Sequence, residues 1–385
     1  MKIVGLFAGI GGLELGLHAA GHRTELLCEV LSTAQAVLKV QFPQVELVDD
    51  VVGLKSLPGG IDLVCGGFPC QDLSQAGSTR GLEGGRSGLV FEVIRLINRS
   101  RPKWVLLENV PFMLQLSGGA AMRRIVKELE DLNYRWAWRI VDTLGFGLPQ
   151  RRKRVFLLAS RVADPADVLL VDDAPFVRSV TAIGKLAHGF YWTEGRGGLG
   201  WAVDAIPTLK NGSSIGIASP PAILMPSGVI IKTDLRDAER LQGFDVDWTS
   251  PAESVGRSSF RWSLIGNAVS VPVATWIGRR LAEPLTYDQA RDGPFPSNGK
   301  LPKAARYDGK RRHLVDISAD PLALPRLHLH QFLRFPGVPL SVRATQGFFD
   351  RTQRASLKFK TGFIDAVRSH LAAVRNEEAN LNAVA

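Results

Sequence analysis

Residues 61–77, IDLVCGGFPCQDLSQAG, combine the pattern of a buried strand with a cysteine on a stiff loop. The apolar run at 61–65 is typical of a parallel strand that is covered on both faces. Two glycines then allow a sharp turn, and Pro69 restricts the backbone next to Cys70. Side chains that follow such strands lie where open α/β sheets bind ligands. The loop alone leaves two interpretations of Cys70, a nucleophile or a small buried hydrophobe.

The composition is that of an ordinary globular protein with a basic excess. The chain has 385 residues, of which 45% are hydrophobic, and a net charge of +10. This length predicts two to three domains. Residues 287–385 carry 16 Lys and Arg against nine Asp and Glu. Such an excess suits a polyanionic partner, although mild basicity also occurs without a specific one.

Several features predict a protein of the reducing cytoplasm. No run of about 18 apolar residues is present, so we expect no membrane span. The first residues, MKIVGLFAGIGG, predict a strand and a turn rather than a signal peptide. The three cysteines fit neither a disulfide framework nor a metal site, and His328 with His330 adds no metal-binding pattern. No oligomerisation signal stands out, so we expect a monomer.

A glycine turn and an acid together predict a nucleoside site. A strand at 2–7 leads through the glycines of 8–12 into a helix, where a ligand can approach the backbone. The spacing differs from G-x-G-x-x-G, which disfavours a nicotinamide cofactor. The next strand ends at Glu29, the place where doubly wound folds bind ribose hydroxyls. Asp50 follows a further short strand and is either an acceptor for an adenine amino group or a solvated turn residue.

Two further strand ends carry charged residues. Glu108 follows the apolar run at 104–107 and could share a crevice with Cys70, or simply cap the helical segment after it. Arg152 and Arg154 lead into the strand at 155–159. Because side chains alternate along a strand, we expect these two arginines to share a face, with a solvated turn as the alternative.

The pattern along the chain predicts five segments. They are a catalytic domain at 1–160, an irregular insertion at 161–230, a return to the first domain at 231–283, a Pro- and Gly-containing linker at 284–302, and a basic C-terminal extension at 303–385. The basic and aromatic residues of the extension suit either phosphate contact or a supporting module, and both interpretations stay open.

Six strings occur in order over residues 1–283: GLFAGIGG, GGFPCQDLSQAG, LLENV, PQRRKRVF, AERLQGF and IGNAV. Together they resemble the DNA (cytosine-5)-methyltransferases of bacterial and phage modification systems. The resemblance implies an α/β fold with a doubly wound, Rossmann-like sheet that binds S-adenosylmethionine, and a smaller, irregular target-recognition domain at 161–230. It also implies that the segment 266–269 and the helix after it pack beside the glycine turn.

The resemblance assigns roles by position in this sequence. Cys70 matches the nucleophile, Glu108 the acid that acts on the base, and Arg152 and Arg154 the arginines that support them. Val30 stands where some members have an aromatic residue, which predicts looser packing on the adenine. Asp237 stands where an acid, commonly Glu, precedes RLQGF. The positions that match the cofactor pocket are Phe7, Gly9, Ile10, Gly12, Glu29, Asp50, Val51, Pro69, Leu89 and Asn267.

The implied reaction explains these residue types. A thiolate that adds to carbon 6 of cytosine makes carbon 5 nucleophilic. Glu108 can assist at ring nitrogen 3 only while it holds a proton, so we expect burial to favour its protonated form. The target base must leave the double helix to be reached. We therefore expect double-stranded DNA as the substrate, and the resemblance leaves open a cognate restriction endonuclease as partner.

Two other functions remain open at this point. One branch of the family modifies transfer RNA, and the catalytic strings do not separate RNA from DNA. A non-catalytic, cofactor-gated DNA-binding protein would have the same scaffold, but the complete set of Cys70, Glu108, Arg152 and Arg154 argues against it.

Overall fold

A computed structural model describes residues 1–68, 89–176, 182–195, 198–212 and 220–384. The chain divides into two compact units. Unit 1 consists of Met1–Phe146, Lys153–Pro175 and Ala268–Ala323. Unit 2 consists of Gly147–Arg152, Phe176–Asn267 and Leu324–Ala385.

The described residues form strands and helices that are numbered along the chain. The strands are β1 (Lys2–Leu6), β2 (Arg23–Cys28), β3 (Glu46–Val48), β4 (Leu63–Gly67), β5 (Trp104–Asn109), β6 (Arg135–Asp142), β7 (Gln150–Arg151), β8 (Lys153–Ser160), β9 (His188–Phe190), β10 (Ala202–Val203), β11 (Ile206–Pro207), β12 (Ala222–Leu224), β13 (Ile230–Lys232), β14 (Asp292–Pro294), β15 (Ala304–Tyr307), β16 (Arg312–Val315) and β17 (Val338–Pro339). The helices are α1 (Gly12–His18), α2 (Ser32–Gln41), α3 (Leu89–Ser100), α4 (Ala120–Asp131), α5 (Ala166–Leu169), α6 (Leu235–Gln242), α7 (Phe260–Asn267), α8 (Val271–Ala282), α9 (Leu329–Phe332), α10 (Val342–Gln353) and α11 (Phe363–Val384). None of these helices is long and apolar enough to cross a membrane.

Unit 1 is built on one large sheet with the strand order β14-β16-β15-β6-β8-β5-β4-β1-β2-β3. The five strands from β5 to β3 run parallel, and β8, β6, β15, β16 and β14 continue the sheet with antiparallel pairing. In the parallel part, β2 and β3 follow on one side of β1, and β4 and β5 follow on its other side. This reversal of strand order at β1 is the topology of a doubly wound fold. The predicted fold class is confirmed.

Helices cover both faces of this sheet because neighbouring strand residues point in opposite directions. Val4 of β1 lies in a core with the buried residues of α3 and α4, whereas Ile3 lies in a core with those of α1 and α8. At Gly16 of α1 a Cβ atom would lie 2.5 Å from the Cβ of Ala274 in α8. The glycine therefore permits close packing of these helices. The resemblance places the segment 266–269 and the helix after it beside the glycine turn. In the structure α8 packs against α1, the helix that follows this turn, whereas Gly266 and Asn267 belong to unit 2.

Unit 2 contains a small sheet with the order β10-β9-β12-β13-β17. Its strands have only two or three residues each, and α10 and α11 pack against it. The ring of Phe190 on β9 contacts those of Phe348 and Phe363, with centroid distances of 5.2 and 5.1 Å. His370 of α11 accepts a hydrogen bond from the Ile230 N–H at 3.3 Å. The C-terminal helices thus complete the core of unit 2.

The structure divides the chain differently from the predicted segments. The predicted linker at 284–302 contains β14, which pairs with β16 in the sheet of unit 1. The predicted extension at 303–385 is split, because β15 and β16 belong to unit 1 and residues from Leu324 onward belong to unit 2. The composition at 284–302 predicted a linker wrongly, because proline and glycine are also tolerated in a short edge strand.

Candidate active site

The turn after β1 places its backbone in the left-handed region at three positions. Phe7, Gly9 and Gly11 have φ angles of 54°, 56° and 81°. A Cβ atom at Gly11 would lie 2.3 Å from the ring of Phe42, so this position requires glycine. Phe7 is not a glycine and carries backbone strain, which in proteins concentrates at functional sites.

Glu29 lies at the end of β2 and binds the glycine turn directly. The carboxylate is buried, its Oε2 accepts a hydrogen bond from the Gly9 N–H at 2.8 Å, and its Oε1 accepts one from the Leu31 N–H at 2.9 Å. The neighbouring residue, Val30, is 69% exposed. The structure thus brings together the glycine turn and the acid of the predicted nucleoside site.

The other predicted cofactor positions lie in different environments. Ile10, Gly12 and Val51 are buried, whereas Asp50 is exposed and accepts a hydrogen bond from the Val52 N–H. Leu89, the first residue of α3, packs against the core that contains Val51. Pro69 and Cys70 lie outside the described residues. Asn267 is exposed at the end of α7 and belongs to unit 2.

Glu108 of β5 lies beside β4 at the carboxyl end of both strands. Gly67 is its partner in the parallel pairing, and a Cβ atom at Gly67 would lie 2.9 Å from Glu108 Oε2. The Nε atom of Arg154 forms an ion pair with Glu108 Oε1 at 2.9 Å, and both side chains are largely buried. Gly67, three residues before Cys70 in the sequence, therefore leaves room for the sheltered carboxyl group of Glu108.

Asn109 is a site residue that the sequence reasoning did not single out. Its Nδ2 donates a hydrogen bond of 3.0 Å to the carbonyl oxygen of Phe68, the last described residue before the Cys70 loop. The side chain is buried, so this hydrogen bond is protected from water. The signal in the sequence was an amide directly after the acid, at a strand end that neighbours the strand leading to Cys70.

The expectation that Arg152 and Arg154 share a strand face assumes that both lie in one strand, and only Arg154 does so. β8 begins at Lys153, and Arg152 lies before it in unit 2, while Arg154 belongs to unit 1. Arg152 is buried, and its Nη1 donates to the carbonyl oxygens of Leu209 at 3.0 Å and Gly266 at 3.1 Å. Side-chain alternation along a strand does not extend to Arg152, because this residue lies between β7 and β8.

The two described cysteines are poor candidates for a nucleophile. Burial, with the nearby Glu29 carboxylate, raises the pKa of Cys28 to about 12. Burial and the neighbouring Glu14 carboxyl also raise the pKa of Cys65 well above its usual value. Since the thiolate is the reactive form, neither side chain is suited to attack a substrate at neutral pH. The third cysteine of the sequence is Cys70.

Comparison with known proteins identifies the family. Residues 1–179 match the family model of the C-5 cytosine-specific DNA methylases. The chain is 45% identical over 380 residues to the Type II methyltransferase M2.BsuMI of Bacillus subtilis (strain 168), and the match covers 95% of this chain and 97% of that protein. The chain belongs to the C-5 cytosine-specific DNA methylase family.

Other similarities to this DNA methylase are less extensive. It is 37% identical over 193 residues to the Type II methyltransferase M.PspPI of Psychrobacter sp. (strain TA137), which covers 49% of this chain and 46% of that protein. The structure of the Entamoeba histolytica methyltransferase EhMeth matches with a TM-score of 0.50 and 15% identity, over 72% of this chain and 96% of that chain. The second similarity supports the fold alone.

Family membership gives the site its reaction class. The protein is a C-5 cytosine DNA methyltransferase, so its site must hold a methyl donor and a cytosine. Glu29 and the glycine turn lie at the end of β1 and β2, and Glu108 lies at the end of β5 in the same sheet. Within the described residues, no group of three or more His, Cys, Asp or Glu side chains could hold a metal ion.

Proposed function

We propose that the enzyme transfers a methyl group from S-adenosylmethionine to carbon 5 of a cytosine in a specific duplex DNA sequence, through a covalent adduct with Cys70. The observation that carries this proposal is the sheltered pair of Glu108 and Arg154 beside Gly67, directly before the Cys70 loop. A buried acid and a cation, at a strand end that leads in the sequence to a cysteine, form a suitable set for adding a thiolate to a ring and protonating that ring.

The residues at the end of β1 and β2 suit a nucleoside sulfonium donor. A Cβ atom built at Gly9 meets nothing within 4 Å, so the backbone there is open to a close approach. Glu29 holds a carboxylate at the place where ribose hydroxyls bind in this topology. When bound, S-adenosylmethionine supplies the electrophilic methyl group that carbon 5 takes up. The residues that would hold it are Phe7, Gly9, Ile10, Gly12, Glu29, Asp50, Val51, Pro69, Leu89 and Asn267.

The catalytic residues then act in a definite order. The Cys70 thiolate adds to carbon 6 of the flipped cytosine while Glu108 donates a hydrogen bond or a proton to ring nitrogen 3. Arg154 orients the Glu108 carboxyl group, and Arg152 supports the base from its own loop. After methylation the proton on carbon 5 leaves to a base, the thiolate is expelled, and ring nitrogen 3 returns its proton to Glu108, which restores the neutral aromatic ring. Extruding the base costs a few kcal/mol.

Target recognition is the function we assign to unit 2. Its short strands and long connections, at 176–267 and 324–385, offer the loop surface on which binding residues are commonly placed. Similarity to proteins named Type II methyltransferases supports a role in a restriction–modification system, with a cognate restriction endonuclease as partner. The cytoplasmic location and the monomeric state stay predictions from the sequence.

Transfer of labelled methyl groups tests the proposal. Wild type, Cys70→Ala and the matched control Cys28→Ala are incubated with labelled S-adenosylmethionine, duplex DNA and competing transfer RNA. We expect label in DNA with the wild type and the control, and none with Cys70→Ala. Bisulfite sequencing of the product then gives the target sequence. Label in RNA alone would refute the DNA substrate, and full activity of Cys70→Ala would refute the adduct.

A further inference from the structure

Helix α10 binds a surface turn of unit 2 through one arginine. Arg351 donates from Nη2 to the carbonyl oxygen of Trp192 at 2.7 Å and from Nε to that of Glu194 at 2.9 Å. The adjacent Gly195 has a φ of 121°, and a Cβ atom there would lie 3.4 Å from the ring of Phe348. The guanidinium therefore fixes two carbonyl groups of a turn that lies in contact with the helix.

The same turn holds Lys210. The Nζ atom of Lys210 lies 3.7 Å from the ring centroid of Tyr191 and forms an ion pair with Glu194. The Tyr191 hydroxyl donates to the carbonyl oxygen of Thr208 at 2.7 Å, which ties the turn to the segment that carries Lys210. The Lys210 side chain is 41% exposed. An ammonium group has three donors, so its ion pair leaves donors for a ligand from solution.

The segment at 208–210 leads directly to Arg152. The hydroxyl of Thr208 donates to the carbonyl oxygen of Arg151 at 2.9 Å. Arg152 in turn donates to the carbonyl oxygen of Leu209 at 3.0 Å. A continuous set of contacts within unit 2 therefore joins α10, the 191–195 turn, Lys210 and the arginine that we assign to support of the flipped base.

We propose that α10 is a positioning element for DNA binding, in which Arg351 holds the 191–195 turn so that Lys210 contacts a DNA phosphate. This inference rests on the proposed function of unit 2. A compact, strongly hydrated ammonium at the surface is suited to a phosphate oxygen, whereas sequence is read by other groups at base edges. Tyr191 and Glu194 restrict the long lysine side chain before DNA arrives, which lowers the entropy lost on binding.

The test measures DNA binding as a function of salt for Lys210→Ala, Arg351→Ala and the double variant. Arg354→Ala is the matched control, because Arg354 is an exposed arginine that directly follows the same helix. Dissociation constants for duplex DNA are measured by fluorescence anisotropy, which needs no turnover. Thermal melting of each variant is measured alongside. The kcat values are measured at a temperature well below the lowest melting temperature.

We expect Lys210→Ala to raise the dissociation constant for DNA by about tenfold without changing the melting temperature. The salt slope, which is the dependence of the logarithm of the dissociation constant on the logarithm of the salt concentration, should fall by the amount that corresponds to about one phosphate contact. Arg351→Ala should reproduce the reduced slope, and the double variant should add little, because both changes remove the same contact. The control should keep the wild-type slope.

Two results would overturn the inference. In the first, Arg351→Ala melts at a lower temperature but keeps the wild-type salt slope, so that the arginine only stabilises the fold. In the second, the losses of DNA-binding free energy caused by Lys210→Ala and Arg351→Ala add fully in the double variant. Failure of the proposed function is distinguishable, because it would appear as a wild-type protein that transfers no methyl group to DNA.

Discussion

Two buried acids of unit 1, Glu29 and Glu108, have different surroundings from two buried acids of unit 2, Asp204 and Asp237. In unit 1, Glu29 and Glu108 lie at the ends of long parallel strands whose cores are apolar. In unit 2, Asp204 accepts hydrogen bonds from the Leu329 N–H at 2.8 Å and from Arg326 at 2.7 Å. Asp237 likewise accepts from the Phe335 N–H at 3.0 Å. Glu29 and Glu108 lie at strand ends of the candidate site, whereas Asp204 and Asp237 join parts of the chain that are distant in the sequence.

This difference follows from the size of the two sheets. Strands of five to eight residues make up most of the unit 1 sheet, and their side chains bury enough apolar surface to fix their register. The unit 2 strands have two or three residues, and a sheet this small needs additional packing to be stable. The segment at 324–385 supplies that packing, through Phe348, Phe363 and the residues bound to Asp204 and Asp237.

The largest effect is expected at the acid of unit 1. Glu108→Gln keeps a group that can donate a hydrogen bond to ring nitrogen 3 but removes the proton that a carboxylic acid supplies. We expect the rate of methyl transfer in single turnover to fall by about 10²–10⁴-fold. Glu128→Gln, at a half-exposed position on α4, is the matched control and should retain the wild-type rate. A Glu108→Gln rate near that of the control would mean that unit 1 does not use this acid in catalysis.

A second change should destabilise unit 2 and spare unit 1. Burial opposes ionisation of Asp204, but the Leu329 N–H, His328 and Arg326 outweigh it and hold its pKa below the usual value. Asp204→Ala would leave Arg326 without its carboxylate, at a cost of about 3–5 kcal/mol. Hydrogen exchange should speed up in β9, β12 and β13 and stay slow in β1, β4 and β5.

The control for this prediction is Asp365→Ala, which removes an exposed carboxylate of α11 paired with Arg368. We expect wild-type exchange in both units. Equal acceleration of exchange in β1 and β9 by Asp204→Ala would contradict the view that the C-terminal segment stabilises unit 2 separately.

Stability of unit 1 should depend on pH through Glu14, an acid of α1 that the mechanism does not use. Burial raises the pKa of Glu14 to about 7, and its hydrogen bond from Cys65 only partly opposes this effect. The folded state keeps a proton that the unfolded state releases near pH 4.5, so stability falls as the pH rises from about 4.5 to 7. The loss is complete above pH 7 and amounts to about 3 kcal/mol.

Urea unfolding at pH 5 and pH 8 measures this effect. Glu14→Gln should remove most of the difference in unfolding free energy between the two pH values, because the amide does not ionise. Glu92→Gln, at a partly exposed position on α3, should preserve the difference. A Glu14→Gln protein with the wild-type pH dependence would assign the effect to another group.

The smallest effect is expected on the affinity for S-adenosylmethionine, at Val30 beside Glu29. Val30 is 69% exposed next to Glu29, where some family members have an aromatic residue. Val30→Trp should tighten binding of S-adenosylmethionine by about 1 kcal/mol, through stacking on the adenine. Isothermal titration calorimetry measures the change. Val162→Trp adds the same side chain at an exposed position after β8 and should leave the affinity unchanged. Equal affinities of the two variants would place the adenine away from Val30.

The sequence predicted those features of unit 1 that are marked by a local pattern, namely a polar residue or a glycine turn directly after an apolar run. The glycine turn, Glu29 and Glu108 each follow an apolar strand, and strand ends meet at one edge of a parallel sheet. It did not predict the partners of Arg152, because those carbonyl groups are 57 and 114 residues away. Asn109 was overlooked for a similar reason, since its contact with Phe68 spans 41 residues.

Domain boundaries were difficult to predict from composition, for a physical reason. Composition marks flexible linkers by proline and glycine, but β14 uses both in an edge strand. The basic charge of 303–385 suggested one extension, whereas its parts pack with different units. Packing of a segment depends on its apolar face and its partners in space, and net charge carries little information about either.

Covalent trapping at Cys70 tests the central claim most directly. Wild type is incubated with S-adenosylmethionine and a random-sequence duplex in which 5-fluorocytosine replaces cytosine, and the linked peptide is identified by mass spectrometry. Fluorine cannot leave as the proton does, so the thiolate cannot be expelled and the adduct persists. We predict a base-linked peptide that contains Cys70, absent from Cys70→Ala and present in Cys28→Ala. A trapped adduct on Cys28 or Cys65, or methylation of ordinary DNA by Cys70→Ala, would contradict it.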